Sequence, residues 1–154
     1  MVASMYTLRG PWTHADVDRY LRTVVVPLRL AANMPDGFPV IVSLWFTWDG
    51  EMLWCVTHES SRIMKHLRRD NRVAIEVAPD RPPYRGVRAQ AIASLGEGPR
   101  AEALLETMLI KYLGSAETSL GRWLLGRGGE RTIGLRPVHM SSWDYTSRMT
   151  AAKP

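Results

Sequence analysis

From Phe38 to Trp48 the chain alternates. Phe38, Val40, Val42, Leu44, Phe46 and Trp48 share one face; Ile41, Ser43, Trp45 and Thr47 share the other. Period two predicts a strand, and the scarcity of charge on either face predicts that both faces are covered. Asp49-Gly50 follows as a hairpin turn. Around this strand the pattern predicts five more: Val25 to Ala32, Glu51 to Thr57, Arg72 to Ala78, Tyr84 to Leu95 and Glu130 to Arg136. Helical spacing of apolar residues predicts helices over about 14–23, 60–69, 100–113 and 117–126. Thr13 with Asp16 resembles a capping box for the first, Pro99 suits the opening of the third, and Gly114 its end. Ser141 to Met149 reads as a polar and aromatic tail. Tight hairpins and few crossover helices predict an antiparallel sheet, and six such strands close most simply into a small barrel.

The segment Thr57 to Val73, THESSRIMKHLRRDNRV, carries the chemistry. A strand ends, a turn offers the hydroxyls of Ser60 and Ser61, and a short basic helix begins. Arg62 and Lys65 are three residues apart, on one side of its first turn. Free backbone N–H groups, a positive dipole end, hydroxyls and two cations suit a phosphate. The plainer reading is a helix cap with solvated cations. His58, beside this turn, is the one histidine of four with a candidate role.

Composition narrows the classes. The 154 residues fit one domain over 1–154, and 45% hydrophobic content is that of a globular chain. Twenty basic against fifteen acidic residues give a net charge of +5, which favours anionic partners. No nucleic-acid motif accompanies that charge. The single cysteine, Cys55, excludes an internal disulfide and a cysteine metal set, and reads as a small buried hydrophobe. With no signal-like segment and no membrane-length apolar run, the expectation is a soluble cytoplasmic protein without a membrane partner. No acid–base set emerges from the sequence. The glycines at 126, 128 and 129 make a turn and not a dinucleotide fingerprint.

Four segments in order, PVIVSLWFTWDGEMLWCVT, SSRIMKHLRRDNRVAIEV, PPYRGVRAQAIASL and SSWDYTSRM, resemble the pyridoxamine-phosphate-oxidase-like flavin-binding split-barrel family. The resemblance covers roughly residues 20 to 149. It implies a mainly β fold, a six-stranded antiparallel Greek-key split barrel with peripheral helices, working as a homodimer. It implies FMN, or in one branch a deazaflavin coenzyme, in a groove between the subunits, and an oxidoreductase acting on a small organic molecule. A non-catalytic flavin or haem binder on the same fold is the reading from another class. By the same resemblance, Thr57, His58, Ser60, Ser61, Arg62 and Lys65 hold the phosphate. Val42, Ser43, Leu44 and Trp45 lie along the flavin ring. Gly86 allows close backbone approach, and Arg88 and Trp143 reach the site from the neighbouring subunit. Ile63 departs from the pattern: a lysine is usual there, and Lys65 is the candidate substitute. Trp45 also reads as a core or interface aromatic, Trp143 as an interface anchor, and Arg88 as a member of an ordinary ion pair.

Overall fold

The computed structural model describes residues 6–96 and 98–151. Eight strands form one curled sheet: β1 (Thr7–Arg9), β2 (Leu28–Asn33), β3 (Pro39–Leu44), β4 (Thr47–Trp48), β5 (Leu53–His58), β6 (Arg72–Val77), β7 (Arg85–Leu95) and β8 (Glu130–Asp144). Five helices accompany them: α1 (His14–Thr23), α2 (Arg62–Arg69), α3 (Gly98–Leu113), α4 (Ser119–Arg127) and α5 (Thr146–Ala151). The sheet order is β3-β2-β6-β7-β8-β5-β4, antiparallel throughout, with β1 lying parallel to β8. Alternation explains the curl. Leu28, Leu30, Val73, Ile75, Val77, Val87 and Ala89 are buried on one face, while Arg29, Arg72, Glu76 and Arg88 between them are exposed on the other. The buried face rolls around a single core closed by α1 and α2.

A break in alternation sits where the sheet ends meet. The expected strand over 38–48 is two strands, interrupted at Trp45 and Phe46. Phe46 and Trp48 of the first face are buried, but Phe38 before the strand and Ile41 on the other face are exposed, so the expectation that both faces are covered is not met within this chain. The break leaves the Phe46 backbone without a ladder partner, and α3 supplies one for each group. The Phe46 N–H donates to the Tyr112 hydroxyl at 3.2 Å, and Lys111 Nζ donates to the Phe46 carbonyl at 2.8 Å. Tyr112 in turn donates to the Val26 carbonyl at 2.9 Å. Buried backbone groups must be satisfied somewhere, so this pair of side chains holds α3 over the opening between β3 and β5. Half-burial here lowers the Lys111 pKa and pushes that of Tyr112 up to about 12. Cys55 is buried as expected, and desolvation pushes its thiol up to about 12.

The sheet differs from the expectation in three further places. β1 was not expected at all: three residues of mixed burial carry no readable period. The first long strand begins at Leu28, after a link through Val25 to Pro27. The last strand runs to Asp144, so most of the expected polar tail is sheet, followed by α5. A bulge explains why. Gln90 faces His139 but Ala91 faces Pro137, so Val138 is extra. Before it Ile133 and Leu135 point inward, and after it Met140 and Ser142 do. That switch of parity at a proline disguises one strand as a strand and a tail.

The helices keep close to their expected spans. The Thr13–Asp16 capping box is present in both directions, and α2 buries Ile63, Met64 and Leu67. No helix among the described residues is long and apolar enough to cross a membrane.

Replacing Tyr112 by Phe removes the acceptor for the Phe46 N–H and the donor to Val26. We expect a loss of about 1–3 kcal/mol, because a half-buried backbone donor is left unmet. The urea midpoint measures it, and an unchanged midpoint would contradict this role for α3.

Candidate functional site

The turn between β5 and α2 is held from two sides. Ser61 N–H donates to the His58 carbonyl at 3.0 Å, and Glu59 N–H donates to the Gly129 carbonyl at 2.8 Å. The second bond docks the turn onto the glycine link between α4 and β8. Gly129 sits at φ +78°, and a Cβ there would lie 2.6 Å from His58 Nε2. His58 Nδ1 receives the Ser60 N–H at 3.2 Å and lies 2.7 Å from the Ser60 hydroxyl. Since Nδ1 accepts, the proton of the neutral ring is on Nε2. Arg131 pairs with Glu59 at 2.7 Å and fixes the outer side of the turn.

Ser61 is the N-cap of α2, but its side chain makes no cap bond. Its hydroxyl instead takes the Thr57 O–H at 3.1 Å. The first N–H groups of the helix therefore lack a side-chain acceptor, and the dipole there is uncompensated by any acidic residue in the first turn. Arg62 and Lys65 are exposed, and neither joins an ion pair among the described residues. Ile63 is buried, so its position points into the core and a charge there would face no ligand. The donor set present is backbone N–H, hydroxyl, guanidinium and ammonium, which suits a phosphate. The wider basic run contributes less than its sequence suggests. Arg69 donates to the Asn33 carbonyl, and Arg72 is paired with Asp70 at 2.9 Å.

A cleft of about 380 Å³ opens beside this turn. Thr57, His58 and Ser61 form one side, and Ser43, Leu44 and Trp45 another. Leu105 and Met108 of α3, Leu124 and Arg127 of α4, and Glu130 complete it. The cleft lies at the split, and β3 is the terminal strand of the sheet order. Its outer backbone edge has no strand partner among the described residues. Half of the twelve expected site residues thus line one cleft, with Ser60, Arg62 and Lys65 on the turn and helix beside it and Val42 adjacent on β3.

Trp45 lines the cleft and packs on another aromatic, whereas Arg88 and Trp143 lie elsewhere. Trp45 stacks on Tyr112, with ring centroids 5.1 Å apart and planes within 7°. Arg88 has no ion pair among the described residues; its guanidinium lies over the Trp143 ring at 4.4 Å. Both sit on the outer face of β7 and β8, away from the cleft of their own chain. Gly86 is opposite Trp143 and is buried, and a Cβ there would meet Val77, Ala78 and the Trp143 ring. Its missing side chain is required by the close approach of the Val77 carbonyl, Ala78 and the Trp143 ring. Two larger depressions, of about 480 and 660 Å³, lie on this outer face and share Ala74, Gln90 and His139. Neither includes a residue of the phosphate turn.

Sequence reasoning missed Arg127 and Glu130. The Glu130 carboxylate, 4% exposed, accepts from Arg127 Nε and Nη2, both at 2.8 Å. The available signal was a basic and an acidic residue flanking a glycine pair, which fold back on each other.

No protein-family model matches the chain, and no curated protein is significantly similar to it in sequence. Solved structures are similar. Conserved hypothetical protein Rv2991 from Mycobacterium tuberculosis aligns with a TM-score of 0.75 at 23% identity, over 94% of this chain and 91% of that one. An F420 reductase aligns with a TM-score of 0.66 at 22% identity, over 80% and 94%. A putative pyridoxamine 5'-phosphate oxidase from Listeria innocua aligns with a TM-score of 0.64 at 18% identity, over 84% and 96%. At these identities the likeness establishes the fold: it is that of the pyridoxamine 5'-phosphate oxidase-like proteins, as the four sequence segments implied.

Gly129→Ala tests how the turn is held. The substitution meets His58 and adds strain at a positive φ, so we expect a loss of about 1 kcal/mol or more. Thermal unfolding measures it, and a melting temperature equal to that of the parent would contradict the docking described.

Proposed function

We propose that this chain belongs to the pyridoxamine-phosphate-oxidase-like flavin-binding proteins and is an oxidoreductase that uses FMN on a small organic substrate. The uncapped start of α2, with two unpaired cations beside a cleft bounded by a free strand edge, carries the reading. The N–H groups of α2, the hydroxyls of Ser60 and Ser61, and Arg62 and Lys65 hold the phosphate. The free edge of β3 over Val42 to Leu44 offers N–H and C=O groups to the polar edge of the ring. When bound, the flavin supplies hydride or electron transfer, while the chain supplies position and shelter from water.

The same reading makes the protein a homodimer through the outer sheet face. Ile41 is 68% exposed there, beside small residues such as Ala74. An exposed apolar face of this kind suits a second copy. The dimer brings Arg88 and Trp143 of one chain toward the cleft of its partner.

A deazaflavin coenzyme in place of FMN is the second reading, favoured by the likeness to an F420 reductase. Arg68, exposed and outside any ion pair among the described residues, would meet its acidic tail.

Titration of one preparation with FMN and with coenzyme F420, followed by absorbance and thermal shift, separates the two. We expect FMN to bind, and Arg62→Ala to weaken it about tenfold, the worth of one charged hydrogen bond. A response to F420 alone would replace FMN with the second reading. No response to either would reject both. In sedimentation velocity we expect a dimer, and a monomer from Ile41→Glu; a monomeric parent protein would reject the interface.

A further inference from the structure

We propose that Arg127, held by the buried carboxylate of Glu130, is a third cation of the anion site and bonds a phosphate oxygen of the ligand beside Thr57, His58 and Ser61. The inference rests on the phosphate reading of that cleft and adds a residue from a different element.

Three constraints fix the guanidinium. Its Nε and Nη2 both donate to one Glu130 oxygen, and its Cζ lies over the Trp123 ring, 4.8 Å from the centroid. Arg127 also lines the cleft. One edge of the fork is therefore committed and the group is packed over an aromatic ring. Nη1 has no partner among the described residues. A guanidinium has five N–H donors, so the pair with Glu130 orients Arg127 without exhausting it.

The neighbourhood favours the same role. Glu130 pairs across the strands with His58, which begins the phosphate turn. Gly129 carries the carbonyl that receives the Glu59 N–H. The end of α4 and the start of α2 are thus tied together by backbone. The acidic residues there, Glu59 and Glu130, are each already paired with an arginine. An arriving anion meets two unpaired cations and a pre-oriented third. Arg127 separates this site from a simple helix N-terminus, because it supplies a bond direction that the dipole does not.

The plain alternative is that Arg127 only neutralises Glu130. The double variant Arg127→Gln with Glu130→Gln decides between them. It removes both charges together, so the local net charge is unchanged and no buried carboxylate is left alone. Circular dichroism confirms that the variant is folded; if it is not, Arg127→Lys takes its place, since it keeps the charge and loses the fork. The probes are FMN, riboflavin and inorganic phosphate. We expect FMN to weaken about tenfold, riboflavin to be unaffected, and the thermal shift produced by phosphate to shrink. Equal FMN affinity in parent and variant overturns the inference and leaves the cofactor reading standing. Equal weakening of FMN and riboflavin overturns it too, because the loss then lies at the ring. A parent that ignores FMN but responds to phosphate through Arg127 keeps the anion site and rejects the cofactor. A parent that responds to neither overturns both.

Discussion

The architecture depends on a sheet whose two ends meet without joining. β3 and β5 lie at or near opposite ends of the strand order, and no ladder connects them among the described residues. A closed barrel would have hidden the backbone edge of β3; a flat sheet would have exposed the core. The protein does neither. It breaks the strand at Trp45–Phe46 and lets two side chains of α3, Lys111 and Tyr112, take over the missing backbone bonds. The opening that results is the candidate site, so the device that stabilises the fold also defines where a ligand fits.

Charge pairing sorts the surface around that opening. Acidic side chains near it are engaged with arginines: Glu59 with Arg131, Glu130 with Arg127 and, further along α2, Asp70 with Arg72. Arg62 and Lys65 are left over. The Glu59–Arg131 pair is partly exposed and contributes little to stability, and the shared effect of the three pairs is electrostatic. They occupy the carboxylates near the opening and leave Arg62 and Lys65 unpaired among the described residues at the start of α2. A net charge of +5 spread over the chain becomes a local preference for an anion.

Much of this was legible in the residues. The capping box at Thr13, the alternation of Pro39 to Leu44 and the apolar stripe of α2 each state a local rule that the structure follows. The start of α2 was legible for the same reason, since caps and dipoles are local. What was not legible depended on distant partners. β1 has too few residues to show a period and exists through its pairing with β8. β8 looked short because the bulge at Val138 reverses its parity. Tyr112, Arg127 and Glu130 lie far along the chain from the segments they complete, and no spacing rule links them. Gly86 was read as allowing close backbone approach, and the crowding comes from Val77 and Ala78 of the neighbouring strand end and from the Trp143 ring, which no spacing rule links to it.

The central claim is that two copies of this chain hold a flavin-type cofactor at the split. Native mass spectrometry of protein purified from its own host tests this most directly, because it reports subunit count and bound mass together. The account predicts a dimer carrying a flavin or deazaflavin mass that is lost on denaturation. A monomer of bare polypeptide mass would contradict it.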